Sequence, residues 1–383
     1  MGWKKSVTLP LVLVALMMAI ASCRQQESSR GAEKLAEDSS AAQNLDSNLT
    51  FNNLTLEQVD NQGETLWEVM AEQVTYSPDQ KEAKVKNPDG DLYQDGEPVY
   101  HITAAEGDIR QDGDRIVLRG NVVATDLKSG AILRGDQLEW QPEKDLLVVK
   151  GNLQGTHPQL QLTANEARAS NRRRTIEVSG QVEANTLEDP TLRLFGEHLT
   201  WRVDDQIVVS DRPIQVERIQ GNQVTDQANG DLAEVNLANK TVKLTQNARV
   251  VATDPPLTIT GNSLFWNVNE QTLLADQPVT VIQRQEQITL TANEGRMEFQ
   301  PKMAYFIGNV NATGQRNQSQ LTSDRLTWNV ATQDVTAEGN VVYVQPDPPT
   351  SVKGPKAVGR LTEQTIVVSG GRVETQIVPQ NLN

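Results

Sequence analysis

The chain repeats one phrase at a nearly fixed interval. "RGNVVAT" (119–125) returns as "KGNLQGT" (150–156), "SGQVEAN" (179–185), "IGNVNAT" (307–313) and "EGNVVYV" (338–344). A second series of small residues keeps the same beat: Ala71, Ala104, Gly135, Ala164, Gly196, Gly230, Gly261, Ala292, Ser323 and Gly354. They are separated by 33, 31, 29, 32, 34, 31, 31, 31 and 31 residues. The phrase, or a degenerate form of it, follows each of these anchors by 15 or 16 residues, which makes ten copies. A period of this length implies a stacked architecture in which each unit buries its apolar face against its neighbours.

Each copy reads as a β-hairpin. The first half is apolar at alternate positions, such as Leu133 and Gly135 or Ile259 and Gly261. The parity then slips by one, to Leu138 and Trp140 or Leu264 and Trp266. A period-2 pattern that changes phase predicts a bulge or bend. Polar tips follow ("QPEKD", "RVDDQ", "NVNEQ", "NVATQ", "RLTEQ"), and the second half alternates without slipping, as in Ile116, Leu118, Gly120, Val122 and Ala124. A lone hairpin is barely stable, so the copies are expected to bury their apolar faces in a stack. The fold expected is all-β and elongated, two facing sheets built from about ten hairpins of about 31 residues. Sharing about twenty strands between two sheets would give ten layers, roughly 45–50 Å long.

A longer period sits on the first. Five residues after each anchor stand Tyr76, Ile109, Trp140, Ala169, Trp201, Val235, Trp266, Met297, Trp328 and Gly359. Tryptophan returns in every second copy from Trp140 onward. Two readings stay open. Large and small residues pack complementarily in a filled core, or the small positions leave a groove for an apolar ligand.

The N-terminus has a different character. Lys4 and Lys5 precede an apolar run from Val7 to Ala21, and "IASC" ends it at Cys23. This is the layout of a secretory signal peptide, and "IASC" resembles the lipobox of bacterial lipoproteins. Residues 1–22 are expected to be a targeting segment and 23–48 a flexible tether, with Cys23 the lipidated residue. The alternative is an uncleaved anchor helix. Cleavage before Cys23 would take the net charge from −15 to −17. Such acidity argues against nucleic acid, which needs clustered Lys and Arg. The one basic run, Arg172-Arg173-Arg174, is expected at a solvated hairpin tip.

Residues 66–125 carry a resemblance to a family. They hold an early "WEVMAE" strand, "NPDG", "GEPVYHITAAEG" and then "LRGNV". This resembles the opening of LptC-type lipopolysaccharide export proteins, and the later copies resemble the wider LptA/OstA-type β-jellyroll group. The resemblance spans most of residues 50–375. It implies a slanted jellyroll, LptC-like over 49–190 and OstA-like over 191–378, with a tail at 379–383. It also implies a periplasmic bridge between an inner-membrane ABC exporter and an LptA-like protein or outer-membrane translocon domain, with lipopolysaccharide acyl chains sliding along the interior. The chain departs from the shorter LptC members in having about four extra hairpins and a lipoprotein-like start.

The residues are compatible with that role. Shielding a chain of methylenes is worth about 0.8 kcal/mol per CH₂, and no nucleophile or cofactor is called for. His101, His157 and His198 lie at different phases of the repeat, and Glu106, Glu166 and Glu294 share one phase, as a solvated stripe would. The expected groove lining is Ile116, Leu118, Val122, Trp140, Leu147, Val149, Ile176, Val178, Val182 and Trp201. The final strands, with Ile366, Val368, Val373 and Ile377, form the expected partner-docking edge, and Leu54 to Val69 the opposite one. A carbohydrate-binding or purely structural envelope β-solenoid is the alternative. The expectation is therefore a periplasmic protein anchored to the inner membrane, as a lipoprotein or by an N-terminal helix, without enzymatic activity, cofactor or metal.

Overall fold

The structure is a computed structural model and describes residues 49–110, 112–360, 365–371 and 373–377. The expected targeting segment, Cys23, the tether and the tail 379–383 lie outside the described residues. One 3₁₀ turn, Pro142–Lys144, interrupts an otherwise all-strand succession. All pairings are antiparallel, and they join the strands into one ladder that follows chain order.

The strand Ile116–Asp126 shows the local rule. Its first part, Ile116 to Arg119, pairs with Trp140 to Gln137. Its second part, Val122 to Thr125, pairs with Gly135 to Ile132 of the same neighbour. Between them Gly120 and Asn121 face the single residue Asp136, and both are left-handed, at φ +75° and +49°. Two such residues in succession fold the strand across its middle. The same left-handed pair stands at Gly151-Asn152, Gly180-Gln181, Gly308-Asn309 and Gly339-Asn340. The repeated phrase is therefore a corner. Where it degenerates to "DRP" or "DQP", the strand breaks in two. Ile207–Ser210 and Ile214–Gln220 flank Pro213, and Thr272–Ala275 and Val279–Gln283 flank Pro278. Proline supplies no N–H to carry the ladder through.

Each long strand thus belongs to two leaves joined along a line of corners. The first leaf contains Ile116 to Arg119 and Trp140; the second contains Val122 to Asp126. Side chains of both leaves make one core, and Tyr100 of the second leaf meets Trp140 of the first edge-on at 5.8 Å. This corrects the expected length. Hairpins are not divided between two sheets; every long strand crosses both. Each leaf therefore holds about twenty strands, and the stack is roughly 90 Å long, about twice the expected value. The parity slip at the anchors is borne out as a register shift at each corner.

The corners are clasped by side chains. Asn152 donates to Asp136 at 2.8 Å, Asn340 to Asp324 at 2.9 Å, Asn247 to Asp231 at 2.6 Å and Asn87 to Glu72 at 2.6 Å. In every case the acceptor is the residue after an anchor. The same acceptor side chain fills the space above the corner glycine: a methyl group on Gly151 would come within 2.5 Å of the Asp136 carboxylate. Gly151→Ala is therefore expected to cost about 3 kcal/mol, backbone strain plus overpacking. Gly130→Ala is the control. Gly130 has φ +73° and no atom within 4 Å of the added methyl, so only the backbone penalty of about 1 kcal/mol applies. Urea unfolding of the two variants should separate them, and equal losses would show that the clasp imposes no packing constraint.

Candidate functional site

The residues five after the anchors form one register-matched row across the first leaf. It steps from Ile116 to Trp140, Leu147, Ala169, Ile176, Trp201 and Val208. It continues through Val235, Val242, Trp266, Leu273, Met297 and Ala304 to Trp328, Val335, Gly359 and Ile366. Cross-strand neighbours on one face are the unit of sheet packing, and this row is the wall of the interior. All ten expected lining residues face inward and are buried in the common core.

Along the middle of the body this interior is filled. Trp140 and Trp266 are essentially inaccessible, and Trp201 is 5% exposed. The indole N–H groups of Trp140, Trp201 and Trp328 are buried without an acceptor. Near the last described strands a cavity of about 100 Å³ opens. Trp328, Val335, Gly359 and Ile366, consecutive members of the row, form one wall; Ile288, Leu290, Leu321 and Tyr343 of the second leaf face them, and Arg316 and Glu286 stand among the lining residues. Gly359 is the smallest residue of the wall. Filled core and open groove thus both occur, in different parts of the stack.

Opposite the corners the hairpin tips of the two leaves meet along a seam, and polar side chains bridge it. Arg172 binds Asp95 at 2.8 Å, Arg174 binds Asp126 at 3.1 Å, and Gln159 donates to Gln206 at 2.6 Å. Lys240 donates to the Glu188 carbonyl at 2.9 Å, and Lys302 binds Asp254 at 2.6 Å. Arg174, Gln206, Lys240 and Lys302 share one position, a left-handed residue at the end of a first-leaf tip. Their carbonyls continue the ladder from tip to tip, accepting from Val203, Leu237, Val268 and Val330 respectively; these four apolar side chains are buried beneath the seam.

The basic run is corrected in part. It does form a tip, but the Arg174 side chain is only 14% exposed, held between Asp126 and Asp204. Sequence reading missed this row, although the recurring last tip residue in "RVDDQ", "NVNEQ" and "NVATQ" signalled it. Burial, opposed by Glu188 and Asp189, holds the Lys240 ammonium below the usual lysine range. Burial also pushes the Tyr100 hydroxyl up.

The histidines occupy unrelated places. His101 lies against Asp91 and His198 against Asp211, both part-exposed. His157 sits at the seam, edge-on to Trp201 at 4.7 Å. Among the described residues no group of three or more His, Cys, Asp or Glu side chains is placed to hold a metal ion. No helix of the described residues is long and apolar enough to cross a membrane.

The two ends differ from the expectation in one respect. At the beginning the edge strand is Thr50–Val59 alone, because Thr65–Tyr76 behind it is paired on both sides. Residues 65–69 are therefore not an edge. At the other end, among the described residues, Thr365–Ser369 and Glu374–Ile377 pair only with Thr350–Arg360, one in each leaf. Ile366 and Val368 pack against the core, while Val367, 65% exposed, and Val373 do not. The backbone of Ile377 pairs with Thr350.

A family model described as "Lipopolysaccharide-assembly, LptC-related" matches residues 10–187, 189–289 and 282–377. No curated protein matches the chain. Among solved structures the chain is similar to LptH from Pseudomonas aeruginosa, described as the LptA-homologous periplasmic component of the conserved lipopolysaccharide transport device. The identity is 15% and the TM-score 0.27, over 30% of this chain and 82% of that one.

The seam histidine gives a pH signature. Burial holds the pKa of His157 below its ordinary 6.5. The unfolded chain then takes the proton first as pH falls, so stability present above about pH 6.5 is lost below it. Unfolding midpoints should fall more steeply between about pH 7 and pH 5.5 in the unmutated protein than in His157→Gln. Parallel slopes would mean that His157 is freely solvated at the seam.

Proposed function

The chain belongs to the LptC-related family of lipopolysaccharide-assembly proteins, and on that premise we propose that it is a periplasmic, membrane-anchored segment of a lipopolysaccharide bridge. Its interior shields acyl chains while the polar part of the lipid stays outside the seam. The observation that carries this reading is the register-matched apolar row, which runs the length of the first leaf and ends as one wall of a cavity. An acyl chain moving along it would exchange one aliphatic contact for the next. Each step is nearly neutral in energy, although leaving the row for water is not. The chemistry needed is burial alone, and no residue is asked to act as an acid, base or nucleophile.

The filled middle of the stack favours a second reading, a rigid envelope spacer that holds no lipid. Photo-crosslinking decides between them. Crosslinkers at Ile116, Val178 and Val182, which point inward, should capture lipopolysaccharide in growing cells. Those at Arg119 and Glu177, on the outer surface, should not. Equal labelling of the two sets, or none in either, would end the transport reading.

The ends supply the bridge. Unpaired strand edges invite pairing unless they are blocked, and the described final strands carry Glu374 as their only charge. We assign Thr365–Ser369 and Glu374–Ile377 to docking an LptA-like jellyroll by strand addition, and Thr50–Val59 to the exporter side. Deleting residues 365–383 should abolish binding of that partner in a pull-down and leave lipid capture at Val178 intact. Unchanged partner affinity would rule out the head-to-tail arrangement at this end.

A further inference from the structure

The bridges across the seam follow a rule. Arg174 reaches Asp126, Gln206 reaches Gln159, Lys240 reaches Glu188 and Lys302 reaches Asp254, over 48, 47, 52 and 48 residues in turn. The span is about one and a half copies, so each of these four first-leaf tips is tied to a second-leaf tip three long strands earlier. The residue types alternate as well. Hairpins with Trp201, Trp266 and Trp328 on the wall end their tips in Gln206, Gln271 and Gln333. Those with Ala169, Val235 and Met297 end in Arg174, Lys240 and Lys302. A cation therefore stands at the seam beside Ala169, Val235 and Met297, two copies apart.

At the bridges, paired side-chain and backbone groups 2.6–3.1 Å apart occupy the seam. A lipid whose chain lies inside and whose head lies outside must occupy that line. Resting on the shielding function proposed above, we propose that the seam is a row of latches that part to load an anionic amphiphile, whose anionic groups replace Asp126, the Glu188 carbonyl and Asp254 as partners of Arg174, Lys240 and Lys302. The replacement is what makes parting feasible. A tip cation pulled from its partner beside an apolar interior is costly, and an incoming phosphate restores a charge-assisted contact to it. An uncharged head group would open the same seam, leave Lys240 and Lys302 unanswered and leave Arg174 with only the Asp204 carboxylate. The alternation places each of these cations beside a wall residue smaller than tryptophan.

Two measurements test this on the full chain. In Gln159→Cys/Gln206→Cys, a short bis-thiosulfonate cross-linker, with bridging verified by peptide mapping, ties the two tips, and reduction frees them. Uptake of a fluorescent long-chain alkyl phosphate should drop about tenfold in the bridged form and return on reduction. A bridged protein that loads as well as the reduced one overturns the latch. If the reduced and unmutated proteins also take up no amphiphile, the shielding function itself fails. In Arg174→Gln/Lys240→Gln/Lys302→Gln, affinity for the alkyl phosphate should fall about tenfold while that for the matching alkyl maltoside holds or rises. Lys302→Gln alone, at the most exposed of the three cations, guards against misfolding and should lose about threefold. Inorganic phosphate alone should neither bind nor compete, since no chain opens the seam. Equal losses for phosphate and maltoside, or competition by inorganic phosphate, overturn the assignment of the cations.

Discussion

The fold depends on a pair of left-handed residues in the middle of a strand. An alternating strand of eleven or twelve residues would otherwise run straight, and a meander of such strands would make one open sheet with an uncovered apolar face. Gly120-Asn121 and its counterparts fold alternate strands across their middles, and the strands paired to them follow at the register shift, so that the sheet covers itself. Glycine meets two demands there. It accepts the positive φ, and it leaves space for the side chain that follows the anchor on the neighbouring strand. The asparagine then closes the corner by donating to that same side chain. Because the clasp joins consecutive long strands, each corner sets the register of the next, and the row of wall residues stays in step from Ile116 to Ile366.

Once the sheet is folded, the two long sides of the body become chemically distinct. The corner side is stiffened by hydrogen bonds between neighbours in the stack. The seam side is held by contacts between tips that are not neighbours, several of them side chain to side chain. Its polar groups are placed over an apolar interior, where an unmatched charge is expensive. Burial of Lys240 against a neutral carbonyl is the clearest case: its ammonium is retained by one hydrogen bond and by the acidic pair Glu188 and Asp189. The interior itself is uneven, packed solid around Trp140 and Trp266 and open beside Gly359, as the alternation of large and small wall residues implies.

Much of this was legible in the sequence because it follows from periodicity. The alternation, its slip at the anchors and the tryptophan beat each put a side chain on a known face, and the ten residues expected to line a groove are buried on it. What could not be read was which element crosses between the leaves. A phase slip says that a strand bends, not that both halves remain paired to the same neighbours, and the expected length was short by about half for that reason. Arg174 was misjudged because a basic triplet at a turn is normally solvated; here Asp126 comes from another hairpin, 48 residues away. The seam side chains recur at one phase of the repeat, but their partners lie one and a half copies off, where no local pattern points.

That offset changes how the stack behaves as a mechanical object. A solenoid held only by contacts between adjacent units is a one-dimensional chain, free to fray from either end one unit at a time. Ties that skip three long strands extend the coupling beyond the nearest neighbour. Removing one hairpin then disturbs two tips further along, and the long strands must cross the body obliquely for the tied tips to stand level. The molecule is therefore braced along its diagonals, as a lattice girder is, and a disturbance at one tip is shared among several hairpins.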